Sequence, residues 1–200
     1  MNRPIIALDA DGVLLDYNRA YPQVWQRAFG VFPHERDPEA YWPIDRWVVD
    51  RLQGERLDHF RRHFDEAFWS SIPAMPGAIA ATYSLRDAGY ELVCVSALDA
   101  AFENARLRNL RDLGLPIERV IATSRSEETG NPKRAALNAL GPAAFVDDYL
   151  PYLTGLPAGI HTALVRGHAT GSPNHGPELK AVRSHHEDLA GFARWWLENL

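Results

Sequence analysis

Hydrophobic and polar positions change their spacing several times along the chain, and each change marks an element. Four consecutive apolar residues, Ile5 to Leu8, leave no face for water and predict a short strand buried on both sides. After Leu15 the spacing shifts towards 3.6. Asn18 to Phe29 puts Tyr21, Trp25 and Phe29 on one stripe ahead of Gly30, which predicts a helix ended by glycine. Ile44 to Leu52 predicts a short helix, after Pro33, Pro38 and Pro43. Glu55 to Trp69 predicts a longer one, with Leu57, Phe60, Phe64 and Phe68 on one face and Arg61, Arg62 and Glu66 largely off it. No strand is expected from 16 to 75, and more than half of the aromatic residues fall there. Pro73-Ala74-Met75-Pro76-Gly77 closes the stretch.

From Ala78 onward the two spacings alternate. Helices are predicted over Ala78 to Ala88, from Asp99 as cap to Gly114, and over Asn131 to Leu140; strands over Glu91 to Val95, Arg119 to Ala122, Ala143 to Val146 and Thr162 to Val165. A last amphipathic helix is expected over His185 to Leu200, with Leu189, Phe192, Trp196 and Leu200 on one face. Such alternation implies an α/β fold, a doubly wound parallel sheet, here with a small all-α segment inserted after the first strand. The expected division is 1–15 and 76–200 for the sheet domain and 16–75 for the insertion.

Composition narrows the function without choosing it. With 46% hydrophobic and 24% charged residues, the 200-residue chain is ordinary for a globular protein. A net charge of −5 argues against a nucleic-acid polymer as partner, yet leaves room for a locally cationic pocket and a small phosphorylated metabolite. Cys94 is the single cysteine and stands in an apolar strand, so it reads as core. Asp9 interrupts the first apolar run, so neither a signal peptide nor a membrane span is expected there. A cytoplasmic location is the default expectation.

In a parallel sheet, ligands bind beyond the carboxyl ends of the strands. Three of the predicted strands end in reactive groups: Asp9 and Asp11, Ser96, and Asp147-Asp148. Each has a plainer reading. Asp-x-Asp-Gly fits a polar turn, Ser96 a helix cap, Asp147-Asp148 an N-cap pair, and Lys133 a solvated lysine. Against these stands a cost, because clustered acids on buried strand ends need a cation or hydrogen bonds. An EF-hand is excluded, since no Asp or Asn stands at 13 and no glycine at 14. Lys133 and Lys180 are the only lysines among 21 basic residues, so an ammonium at 133 is a departure from the chain's habit of arginine.

Asp9-x-Asp11-Gly-Val-Leu, Ser96, Lys133 and Asp147-Asp148, in that order on an alternating chain, resemble the haloacid dehalogenase superfamily. The match spans 1–15 and about 76–200, and the helical insertion resembles that family's class-one cap. The resemblance implies a phosphatase in which Asp9 is the nucleophile and forms an aspartyl-phosphate, while Asp11 serves as acid and then base. It implies Mg²⁺ held by Asp9, the main-chain carbonyl of Asp11 and the acidic pair, with Asp148 favoured as direct ligand and Asp147 as second ligand or orienter. Ser96 would donate to the phosphoryl group and Lys133 supply a fixed charge. The family's lysine often precedes a proline; here Pro132 comes first. Dehalogenating relatives generally lack an acid at the position of Asp11. A phosphomutase or phosphotransferase would use the same residues, and a non-catalytic binding or regulatory protein on this fold is the competing class.

The rest of the chain offers weaker signals. Tyr41, Trp42 and Trp47 could stack on the base of a nucleoside 5′-monophosphate, or simply fill a small core. The Asp-Gly-Val-Leu opening with a short helical cap is loosely similar to the deoxyribonucleotidase branch. His59 and His63 have zinc-ligand spacing without the accompanying glutamate, so a solvated pair is expected. Residues 167–177 predict a long loop, a rim element or plain surface, and His185 and His186 carry no assigned role.

Overall fold

The computed structural model describes residues 3–124, 130–166 and 169–199. Its sheet has strands β1 (Ile5–Leu8), β2 (Glu91–Ser96), β3 (Arg119–Ala122), β4 (Ala144–Asp147), β5 (His161–Val165) and β6 (Ser184–His186). All are parallel, in the order β3-β2-β1-β4-β5-β6. Four helices follow β1: α1 (Tyr17–Phe29), α2 (Pro43–Arg46), α3 (Gly54–Arg61) and α4 (Glu66–Trp69). Five more alternate with or follow the later strands: α5 (Ala78–Asp87), α6 (Glu103–Asp112), α7 (Arg134–Leu140), α8 (Leu150–Leu153) and α9 (Leu189–Glu198).

The pleat sends alternate strand residues to opposite faces. Ile6, Leu8, Cys94, Val146 and Val165 join an apolar cluster with Leu85 of α5, Leu110 of α6 and Phe192 of α9. Ala7, Val93, Phe145 and Leu164 pack the other way, against Leu137 of α7 and Leu150 and Leu153 of α8. The first cluster runs on into Tyr21 and Trp25 of α1, Phe60 of α3 and Phe68 of α4, so these helices and the sheet share one apolar interior. The strand order reverses between β1 and β4, and the crevice at their carboxyl ends is where this topology opens a binding site.

Long-range contacts cut short the two later helices expected in the insertion. Trp47 leaves helical geometry to bridge Glu35, and Val48 N–H donates to the His34 carbonyl (2.9 Å), so α2 stops at Arg46. The Trp47 indole donates to the Asn18 carbonyl at 2.8 Å. Pro22, four residues after Asn18 inside α1, has no N–H to offer that carbonyl; the indole takes its place. The expected helix from 55 to 69 splits into α3 and α4 because Asp65 caps α4 through the Phe68 amide (2.9 Å). Arg27 of α1 holds that break by pairing with Asp65 (3.2 Å) and bonding the His63 carbonyl.

At the C-terminal end the expected helix from His185 begins only at Leu189, capped by Asp188 (Oδ1 to Gly191 N–H, 2.7 Å). Residues 184–186 instead form β6, an edge strand in register with β5 (Ala163 with Ser184, Val165 with His186). Its polar sequence carries no strand pattern, and main-chain pairing with β5 makes it a strand. Leu200 lies outside the described residues. Among those described, no helix is long and apolar enough to cross a membrane.

Candidate active site

The β1–β4 ladder brings the first acids together. Leu8 pairs with Val146, and the Asp9 amide donates to the Val146 carbonyl at 2.9 Å, so Asp9 leaves β1 beside Asp147 at the end of β4. One carboxylate oxygen each from Asp9, Asp147 and Asp148 lie within 4.8 Å of one another, and all three residues are buried. Gly12 makes this approach possible. Its φ is +86°, and a Cβ there would stand 2.1 Å from Asp148 Oδ2.

Lys133 enters from the residue before α7. Its Nζ lies 2.6 Å from Asp9 Oδ1 and 2.6 Å from Asp147 Oδ2, wholly shielded from solvent. Asn131 secures that turn, accepting the Lys133 amide (3.0 Å) and donating to the Tyr152 carbonyl (2.7 Å). Asp147 also accepts the Tyr149 amide at 2.8 Å. Ser96 ends β2, is buried, and lines the same cavity of about 1020 Å³ as Asp9, Asp11, Lys133 and Asp148.

Asp9 and Asp147 thus share one ammonium, Asp148 has the Arg166 guanidinium at 4.0 Å, and the three carboxylates together are short of positive charge. Burial pushes the Asp9 carboxyl up to about 7, against the pull of Lys133 and with help from Asp147 and Asp11. Burial likewise raises Asp147, opposed by Lys133, and carries Asp148 well above the usual range, where Asp147 and Asp9 add to it. Burial alone would discharge Lys133, yet Asp147 and Asp9 hold its ammonium above the usual lysine range. An all-oxygen donor set with excess negative charge suits a hard cation, which would relieve the repulsion. Asp9, Asp147 and Asp148 fit that role.

Asp11 stands apart from this group. Its carboxylate turns to Arg106 of α6, with Oδ1 2.9 Å from Nη1 and Oδ2 accepting from Nη2 at 3.2 Å. The main-chain carbonyl that the family resemblance assigns to the metal is a separate matter from that side chain, which serves no acidic cluster here.

The remaining expectations divide. Trp47 is buried with its indole used, and Tyr41 is buried with its hydroxyl donating to the Asp148 carbonyl at 3.2 Å. Trp42, 41% exposed, is the one of the three whose ring remains open at the cavity. His59 Nε2 meets the Ala28 carbonyl (2.9 Å) and His63 Nδ1 the His59 carbonyl (3.0 Å), so both rings serve the backbone. Cys94 is core, its thiol pushed up to about 12 by burial. Gly167 and His168 lie outside the described residues, but the rest of the loop has structure. Thr170 bridges Ala40, and Asn174 donates to the Asp148 carbonyl (2.7 Å) while accepting the Leu150 amide (2.7 Å).

Sequence reasoning passed over Arg106, Asn174 and Arg166. Arg166, at φ +53° after β5, places Nη1 4.0 Å from Asp148 Oδ2. A signal for Arg106 existed: it interrupts the apolar stripe of Phe102, Leu110 and Leu113 at helical spacing. Asn174 sits in an aperiodic loop and left none.

The model of the haloacid dehalogenase-like hydrolase family matches residues 4–150. The chain belongs to the haloacid dehalogenase-like hydrolases. No curated protein matches its sequence. Among solved structures, a hydrolase of this family from Deinococcus radiodurans R1, with bound phosphate and sodium, is similar at TM-score 0.64 and 20% identity, covering 98% of this chain and 97% of that one. An L-2-haloacid dehalogenase is similar at 0.61 and 20%, covering 98% and 100%. A D,D-heptose 1.7-bisphosphate phosphatase from B. bronchiseptica, complexed with magnesium and phosphate, gives 0.56 and 17%, covering 98% and 99%. At these identities the likeness establishes the fold that all share, while the chemistry of each haloacid dehalogenase-like hydrolase rests on its own site.

Proposed function

We propose that this hydrolase is a Mg²⁺-dependent phosphatase acting on a small phosphate monoester. The observation that carries the reading is Asp11, a carboxylate in the cavity two residues from Asp9 and outside the acidic cluster. A halide leaves as a stable anion and needs no proton; an alkoxide leaving from phosphorus does. An acid at this position therefore favours phosphate esters over the organohalides of the dehalogenase neighbours.

In the proposed sequence Asp11 enters protonated; an Asp9 oxygen attacks phosphorus, the bond to the ester oxygen breaks, and the Asp11 carboxyl gives that oxygen its proton. Water then attacks the aspartyl-phosphate, returns a proton to Asp11, and releases inorganic phosphate with Asp9 restored. Lys133 balances charge at Asp9, and Ser96 donates to the phosphoryl oxygens. Asp9, Asp147 and Asp148, with the Asp11 main-chain carbonyl, would hold Mg²⁺, which would supply charge neutralisation for the meeting of two anions. The insertion serves as a cap over the strand ends and shields the intermediate from bulk solvent while admitting the water that cleaves it. Trp42 offers a flat face for a nucleobase, so nucleoside 5′-monophosphates head the substrates to test. A phosphomutase would use the same residues with a second substrate in place of water.

The test is release of phosphate from para-nitrophenyl phosphate, followed by a metabolite panel. Activity should require Mg²⁺, disappear with EDTA, and disappear in Asp9→Asn. Wild-type protein inert towards every phosphate ester would move the reading to a binding protein on the same fold.

A further inference from the structure

The Arg106 side chain is fully buried, and its charge is permanent. Among the described residues its one carboxylate partner is Asp11, and its Nε and Nη1 make no hydrogen bond. Its guanidinium lies 5.1 Å from the centre of the Trp69 ring, and α4 and α6 are further tied by the Arg108–Glu66 pair. A buried cation with unsatisfied donors is costly, and an apolar side chain of similar volume would pack there at less expense. Stability does not account for Arg106. Its contact with Asp11 does.

We infer that Arg106 is a positioning residue: it fixes the Asp11 carboxylate at the ester oxygen's side of the cavity and keeps it out of the Asp9–Asp147–Asp148 cluster. The physical need is specific. Asp11 is about a third exposed and stands two residues from Asp9; an unheld side chain is free to swing towards any cation at the acidic cluster. Among the described residues, its carboxylate's side-chain ion pair and hydrogen bond both go to Arg106. The Trp69 ring of α4 also packs over the guanidinium, so the arginine that holds the acid is itself held by the insertion as well as by α6. This inference rests on Asp11 acting as the general acid proposed above.

A mispositioned acid shows in how the rate depends on the leaving group. We would measure kcat/KM, which reports only steps through loss of the first product, for aryl phosphates whose phenols span a range of acidity. Para-nitrophenolate leaves without a proton; phenolate benefits from one. Wild type, Asp11→Asn, Arg106→Met, Arg106→Gln and Arg106→Lys are compared, each checked for folding by thermal melting.

The expected result is that Arg106→Met follows Asp11→Asn. Phenyl phosphate loses about 100-fold, in the range of general-acid assistance, while para-nitrophenyl phosphate loses less than about tenfold. Arg106→Lys should recover part of the lost phenyl phosphate activity, and Arg106→Met should melt no lower than wild type. Arg106→Gln carries the same comparison should the methionine variant fail to fold. A uniform loss across leaving groups in the Arg106 variants, beside a steepened dependence in Asp11→Asn, overturns the positioning role. A wild-type dependence in Asp11→Asn instead overturns the acid assignment beneath it.

Discussion

At the scale of single residues the site depends on close approach as much as on charge. Gly12 shows this most directly. Any side chain there would overlap Asp148, and φ of +86° adds about 1–2 kcal/mol of backbone strain for an L residue. Gly12→Ala should therefore displace Asp148 and cost about 100-fold in phosphatase activity, the size of effect that an ångström of misplacement produces. Gly30→Ala is the matched control, because Gly30 has φ +76° but nothing within 4 Å. Both variants should melt lower than wild type, while only Gly12→Ala loses phosphate release. Equal losses in the two would mean that strain, not the Asp148 contact, governs position 12.

Residues also differ in how openly the sequence announces them. Asp9, Asp11, Ser96 and Asp147-Asp148 stand where apolar runs stop, and a parallel sheet aims all strand ends one way. Arg106 is marked only by breaking a stripe, and its meaning comes from a partner 95 positions away. Asn174 carries no mark. It matters because it gives the Leu150 amide its side-chain acceptor and joins the Tyr41 hydroxyl at the Asp148 carbonyl.

At the scale of elements, long-range hydrogen bonds decided what periodicity could not. The insertion's second and third helices are shorter than their patterns suggest because Trp47 and Asp65 have better partners elsewhere. The C-terminal edge has a consequence that can be measured. Burial holds His161 and His186 below the usual histidine value of 6.5, with Arg183 adding to the effect at His161 and His161 adding to it at His186. Unfolded, both imidazoles protonate near 6.5. The folded state therefore binds fewer protons, so this contribution to stability is complete above 6.5 and is lost as pH falls towards the depressed folded values. His186 packs against Phe192 and Trp195, and among the described residues its Nε2 has no hydrogen-bond partner. His186→Phe should fold normally and show a smaller fall in melting temperature between pH 7.5 and 5.5 than wild type. An unchanged fall would remove His186 from the pH response.

At the scale of the molecule, the insertion and the sheet share an apolar cluster, from Leu8 and Val146 through Tyr21 and Phe60. Elements that share a core unfold together. Thermal melts followed by tryptophan fluorescence, which samples both regions, and by far-UV circular dichroism should give one coincident transition. Two resolved transitions would show that the insertion folds by itself.

The sequence alone determined the alternating architecture, five of the six strands and the acids at their tips. Spacing of apolar residues is a local property, and a buried parallel strand must be apolar along its length. Only the tertiary structure decided that Ser184–His186 is a strand and that residues 55–69 make two helices. It alone decided that Asp11 faces Arg106 while Asp9 and Asp147 close on the Lys133 ammonium beside Asp148. Those outcomes depend on hydrogen bonds and charges between segments far apart in the chain, and such pairings have no period to read.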